Sequence, residues 1–332
     1  MVKAMAFYLP QYHPDPHNDV WWGHGFTDWL NVVQSKPFFP GHIQPNLPAD
    51  LGFYDLRLKE TRKAQAVLAR DYELHGFAYW WYWFGGERVL DLPLRLMLED
   101  GEPDLPFCIA WANETWEGKW HGLSDGKTLI AQDYPSGDHV RHAAALAPYI
   151  AHSNYIRHHN RPLLIVKRPF SLPHGYLNRL REAVGHDLFI IGEMDVTDVH
   201  CMVAAGVDAF FAFRLPGQCC GRQTERLREW PEVYSYEDVD FTVESTGVKN
   251  IPVVAPNWDN TPRCRERGMV MQGATPKLFE GKMRLAVENA VDDLVLVKSW
   301  NEWGEGNYLE PDQRFKHEWL EALSRALSAK ER

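Results

Sequence analysis

Short, almost wholly apolar or aromatic runs recur along the chain, and more polar stretches separate them. The runs predict strands at 5–9, 76–83, 107–111, 163–167, 188–192, 209–213, 252–255 and 294–299. They do not alternate between apolar and polar, as expected of strands buried on both faces of a parallel sheet. Several intervening stretches carry helical spacing. Over 60–74, Ala64, Val67, Leu68 and Tyr72 share one face. Thr275 and Pro276 form a cap and first turn ahead of Leu278, Phe279, Met283, Ala286 and Ala290. Over 312–329, Phe315, Trp319, Leu320, Leu323 and Leu327 repeat at helical spacing. Eight strands alternating with helices predict an α/β fold, a (β/α)₈ TIM barrel forming one catalytic domain over 1–332. A doubly wound sheet would carry a glycine-rich phosphate turn after its first strand. Pro10-Gln11-Tyr12-His13-Pro14 stands there instead and has no glycine. Residues 10–56 are then a long first βα loop, ordered by packing and lying over the C-terminal face, where barrel active sites are built.

Composition narrows the function. The 332 residues are 45% hydrophobic and 24% charged, with a net charge of −10 and no basic tract, which disfavours a nucleic-acid partner. No apolar run reaches the roughly 18 residues that insertion into a bilayer needs, and no signal peptide is seen, so a cytoplasmic location is expected. Five cysteines without CxxC spacing argue against a zinc ribbon or a disulfide framework. Protein partners and oligomeric state leave no sequence signature. The unusual count is 14 tryptophans. Twelve of them (Trp21, Trp22, Trp29, Trp80, Trp81, Trp83, Trp111, Trp116, Trp120, Trp258, Trp300 and Trp303) fall at or after predicted strand ends, which suggests an aromatic-lined cleft.

The strongest chemical signal follows the last strand: Trp300-Asn301-Glu302-Trp303-Gly304-Glu305-Gly306, then Tyr308, Leu309, Glu310 and Pro311. Two carboxylates three residues apart beside indoles should be partly desolvated and should repel, separating their pKa values. A raised acid and an ionised base are the pair that glycosidic cleavage requires. Glu302 and Glu305 are therefore the candidate catalytic residues. Asn113 and Glu114 end the third strand beside Trp111 and Trp116, with Glu114 read as a hydrogen-bonding group first and an acid second. In the aromatic run 79–84, Tyr82 and Trp83 are expected to reach the cleft. The first loop offers Gln11, His13, Trp22, Trp29, His42 and Gln44. Tyr8, Asn301, Trp303, Tyr308 and Glu310 complete the expected sugar contacts, rings against C–H faces and polar groups on hydroxyls. Fifteen histidines invite a metal, but none lies in HExxH or beside a CxxC, so no metal or cofactor is expected. Asp238-Val239-Asp240 has the form of a nucleotide-sugar DxD motif but lies in an acidic stretch read as surface.

In order along the chain, Phe7-Tyr8-Leu9-Pro10-Gln11-Tyr12-His13-Pro14, Trp21-Trp22-Gly23, Gly25-Phe26-Thr27-Asp28-Trp29, Gly41-His42-Ile43-Gln44-Pro45, Trp111-Ala112-Asn113-Glu114, and the Trp300–Gly306 run followed by Leu309-Glu310-Pro311 resemble the WbsX-type, glycoside hydrolase family 99-like proteins of bacterial polysaccharide clusters. Asp28 stands where that pattern more often has glutamate. The resemblance implies a (β/α)₈ barrel that handles polysaccharide or lipopolysaccharide. Family 99 proper implies metal-independent, retaining chemistry. Carried over by position, Glu302 would be the base that assists the substrate's 2-hydroxyl through a 1,2-anhydro sugar, and Glu305 the acid/base. Three readings stand: a glycoside hydrolase acting on a bacterial oligosaccharide or polysaccharide; a cytoplasmic glycosyltransferase of O-antigen assembly; and a sugar-binding barrel without catalysis.

Overall fold

A computed structural model describes residues 2–118, 127–194, 205–215, 231–241 and 249–329. All eight anticipated strands are present: β1 (Lys3–Tyr8), β2 (Gly76–Phe84), β3 (Phe107–Trp111), β4 (Arg161–Val166), β5 (Phe189–Glu193), β6 (Ala209–Phe211), β7 (Val253–Val254) and β8 (Leu294–Val297). Each pairs in parallel with its sequence neighbour, and β1 pairs with β8, except across one seam between β6 and β7. The seam closes just before β7, where Phe210 bridges Asn250, Phe210 N donates to Lys249 O at 2.9 Å, and Ile251 N donates to Phe210 O at 2.7 Å. The result is the expected (β/α)₈ barrel. Among the described residues no helix is long and apolar enough to cross a membrane.

The pleat sorts the aromatic residues into two layers. Phe7 stacks on Trp80 at 4.6 Å and meets Phe211 across the lumen, so these rings fill the interior. Tyr8, Phe77, Tyr79, Trp81 and Trp111 face outward to the helices, where Trp81 lies on His142 and Tyr149 and Trp111 on His142 and Tyr176.

The helices in the described residues are α1 (Pro16–Trp22), α2 (Trp29–Gln34), α3 (Lys59–Asp71), α4 (Leu92–Asp100), α5 (Asp138–Ile150), α6 (Tyr176–Val184), α7 (Thr261–Cys264), α8 (Pro276–Glu288) and α9 (Glu318–Ser328). The Thr275 cap on α8 is as expected, its side chain accepting from Leu278 N. Two readings need correction. Helix α3 forms but turns a different face inward, burying Arg62, Gln65, Ala66 and Ala69 and leaving Val67 exposed. Its buried polar groups are satisfied: Gln65 bonds Tyr8 and Glu310, and Arg62 donates to Leu56 O and Glu102 O. Helix α9 starts at Glu318 rather than near 312, because the Asp312 carboxylate takes Arg314 N and Phe315 N into a turn. The described part of the β6–β7 connection holds a strand, Glu232–Ser235, paired with Met269–Gln272 outside the barrel.

The long first loop is tied down as anticipated. Asp28 N donates to Gln11 O, Leu56 N to Tyr12 O, and Ala49 N to Pro311 O on the last loop. Trp29 packs among Tyr12, Tyr54 and Trp303.

Candidate active site

Strand β8 ends at Val297, and beyond Lys298 the chain forms a tight pairing of Asn301 with Tyr308 and Glu302 with Asn307. Asn301 is spent on holding this loop: Oδ1 accepts Leu9 N at 2.7 Å, while Nδ2 donates to Leu9 O and to the Tyr54 hydroxyl. Glu302 is thereby fixed at the mouth of the barrel, one short turn before Glu305.

Both glutamates converge on one guanidinium. Arg263 Nη2 lies 3.0 Å from Glu302 Oε2, Nη1 lies 3.0 Å from Glu305 Oε1, and Nη2 and Nε also clasp Asp28 at 2.7 and 3.1 Å. Asp28 and Glu302 are buried, while the Glu305 side chain keeps 22% of its surface. Burial, then the neighbouring Glu305 charge, pushes the Glu302 carboxyl up to about 7, against the opposing pull of Arg263 and Lys298. The fork lies so close to the chain that a Cβ on Gly304 would come within 2.4 Å of Asp28 Oδ2 and 2.7 Å of Arg263 Nε, so only glycine fits there.

Arg263 was not anticipated from the sequence; it lies in α7, a four-residue helix with no apolar period. The first loop explains its position. His42 Nδ1 accepts from Phe38 N, leaving Nε2 to donate to Asp259 Oδ2 at 2.8 Å, and Gln44 Nε2 donates to the same oxygen at 2.6 Å. Asp259 Oδ1 in turn accepts Thr261 N and Oγ1, and Asp259 N donates to Glu305 O. His42 and Gln44, expected to touch sugar, instead hold the carboxylate that seats α7.

Other expected site residues divide between mouth and core. Tyr82 points inward and its hydroxyl is raised well above the ordinary range by burial, then by Glu302, Glu114 and Glu305 against Arg263. Its ring meets the half-buried Trp116 at 4.8 Å, and Trp116 meets Trp21 at 5.8 Å. Glu114 pairs with Lys167 at 2.5 Å; burial would raise its carboxyl, but Lys167, Arg168 and Lys298 outweigh it and hold it below the usual range. Trp22 is half-buried at the end of α1, near Phe26. Gln11 is buried at 5% exposure, and its Nε2 has no partner among the described residues.

The remainder are corrections. Trp83 cannot share the mouth with Tyr82, because adjacent strand residues point to opposite faces; its indole donates to Asp138 and stacks on His142. Tyr8 and Trp111 lie on the outer face for the same reason. Asn113 is buried, clamping Arg168 N and O of the β4 loop. His13 is fully buried, and burial lowers its ring pKa. Trp29, Trp303 and Tyr308 stack beneath the loop, Trp303 on Tyr308 at 3.8 Å. Glu310 is 1% exposed, accepts from Tyr54, Gln65 and Trp303, and is pushed up to about 7 by burial. The expected tryptophan-lined cleft therefore reduces, among described residues, to a few rings; Trp81, Trp111, Trp300 and Trp303 are core, and Trp120 and Trp230 lie outside the described residues. Residues that sequence reasoning missed are Arg263, Lys167 and Lys298, whose Nζ sits 4.8 Å from the Phe213 ring and 5.7 and 5.8 Å from those of Trp80 and Trp258. Asp238 and Asp240 are exposed, as expected of a surface stretch.

A parallel eight-stranded barrel with paired carboxylates at its C-terminal mouth places them where barrel active sites are built. The chain belongs to the family described as glycosyltransferase WbsX, whose model matches residues 4–323. It is 36% identical over 352 aligned positions to the uncharacterized protein WxcX of Xanthomonas campestris pv. campestris strain B100, covering 98% of this chain and 50% of that one. WxcX of strain ATCC 33913 matches equally. The chain thus spans about half the length of the curated relatives it matches. Among solved structures, the GH99 endo-alpha-mannosidase from Bacteroides thetaiotaomicron superimposes with a TM-score of 0.62 at 15% identity, over 99% of this chain and 96% of that one. A glycoside hydrolase-like protein gives 0.63 at 14%, over 98% and 94%. At these identities the likeness is one of fold.

Proposed function

We propose that the chain is a glycoside hydrolase acting on a bacterial oligosaccharide or polysaccharide by a metal-independent, retaining route. The observation that carries this reading is the geometry of the glutamate pair: Glu302 is buried on one arm of the Arg263 guanidinium, and Glu305 stands on its solvent side on the other. By the position it shares with the family 99 base, Glu302 takes the proton of the sugar's 2-hydroxyl as that oxygen attacks the anomeric carbon. Glu305 gives its proton to the departing glycosidic oxygen. Water then opens the 1,2-anhydro sugar, losing a proton to Glu305 while Glu302 returns its own to the 2-oxygen. Tyr82, Trp116 and Trp21 provide the ring surface for the sugar. Glu305→Gln should lower turnover by about 10²–10⁴-fold while oligosaccharide binding, followed calorimetrically, persists; full activity in that variant would sink the assignment.

The family's name supports transfer from a nucleotide sugar as a second reading. Against it, Asp238 and Asp240 lie beside the Lys282 ammonium of α8, which bonds the Glu237 and Val239 carbonyls and would compete with a cation for this DxD. A panel of nucleotide sugars separates the readings: a tight donor raises Tm, and a hydrolase leaves Tm unmoved.

A further inference from the structure

Fifteen histidines yield no metal motif in the sequence, yet the opposite end of the barrel from the glutamates gathers a ligand set. His158 and His159 precede β4, Asp292 precedes β8 and Lys249 precedes β7, so all four lie on the N-terminal face. Strands β4 and β8 stand on opposite sides of the barrel. A short hairpin, Arg157–His158 paired with Arg161 and Pro162, brings the imidazoles under the barrel to Asp292. Two tight turns fix the side chains, with His159 and Asn160 at φ 49° and 61° and Asp292 and Asp293 at 53° and 58°. The His158 ring is further held edge-on against Phe189 at 4.6 Å.

His158 Nε2 and His159 Nε2 each lie 3.5 Å from Asp292 Oδ2, and the three ligand atoms lie within 4.8 Å of one another. A tetrahedral centre with bonds of about 2.0–2.1 Å needs ligand atoms about 3.3–3.4 Å apart, so little movement is required. Two imidazoles and one carboxylate form a donor set that suits zinc over magnesium or calcium, which prefer all-oxygen shells. The His159 side chain is 59% exposed, which leaves a solvent side for a water as fourth ligand. The competitor is the Lys249 ammonium, 2.6 Å from Asp292 Oδ2.

We propose that His158, His159 and Asp292, with a water as fourth ligand, bind zinc, and that the ion staples the β4 and β8 sides of the barrel by displacing Lys249 from Asp292. The site lies on the face that serves stability in barrels, so it has no part in the chemistry at Glu302.

The test uses the full chain, stripped with EDTA and dialysed. Zinc should bind with one equivalent dependent on this triad and raise Tm by about 3 °C or more, while magnesium does neither. Cobalt(II) should give the intense visible bands of a tetrahedral site. His159→Ala, at an exposed position, should keep its circular dichroism spectrum and lose both the equivalent and the Tm rise. Asp292→Asn should behave likewise. Lys249→Met removes the competitor and should tighten zinc binding by about tenfold or more. The proposal is overturned if zinc leaves Tm unchanged, if His159→Ala and Asp292→Asn retain the binding, or if Lys249→Met weakens it.

Discussion

Arg263 is the residue on which the glutamate pair depends. It neutralises the fully buried Asp28 and holds Glu302 and Glu305 on the two arms of one fork. Only arginine offers that planar geometry, so lysine is not a conservative replacement. Arg263→Met removes the charge partner of buried carboxylates and should cost about 3–5 kcal/mol, measured by denaturant unfolding. It should also move the pH profile. Arg263 lowers the Glu302 carboxyl, which still stands at about 7. Without the cation that value climbs, and the ascending limb of kcat should shift to higher pH. An unmoved limb would count against Glu302 as the base. Gly304→Ala tests the same fork sterically, since the added methyl meets Asp28 and Arg263, and should lower activity strongly in a chain that still folds.

Two elements decide what those residues see. Strand β2 places Tyr82 and Trp83 side by side in sequence and on opposite faces in space. Trp83→Ala should cost about 3–5 kcal/mol in unfolding free energy and leave KM unchanged in the fraction that is folded. Tyr82→Ala should raise KM with a smaller loss of stability. The period of two was legible in the sequence and conflicts with the expectation that both reach the cleft; the phase was not legible, because it depends on which face the helices cover. Helix α7 is the second element. At four residues it has no nucleating strength of its own and is seated by Asp259, itself gripped by His42 and Gln44. His42→Ala should therefore cost about 1–3 kcal/mol and lower kcat at a distance from the reacting atoms.

Across the whole molecule, two buried carboxyls give stability an unusual pH dependence. Glu302 and Glu310 both stand at about 7 in the fold, raised by burial, against about 4.3 in an unfolded chain. Between those values the folded chain holds protons that the unfolded chain has released, so stability falls as pH rises. This contribution is fully present below about pH 4.3 and lost as pH passes through about 7. Groups lowered in the fold, such as Glu114 beside Lys167, act oppositely and lose stability on acidification. His75 and His142, lowered in the fold by burial to about 4 and about 3, also act oppositely, up to about 6.5. The carboxyl contribution is therefore read as a difference: by calorimetry from pH 5 to 8, the stability of the chain relative to Glu310→Gln should fall as pH rises.

The sequence by itself determined the eight strands, the long ordered first loop and the glutamate pair. Each is a local signal, an apolar run, a cluster of packing residues or a strand-end motif, and parallel strands covered on both sides are apolar throughout. It could not determine which tryptophans reach solvent, since Trp81 and Trp111 are fixed by helices that pack from elsewhere. It could not place Arg263 against Glu302, or His158 against Asp292. Those contacts join residues far apart in the chain, and closure of the barrel brings them together: the glutamate pair and its arginine at one mouth, the histidines and aspartate at the other.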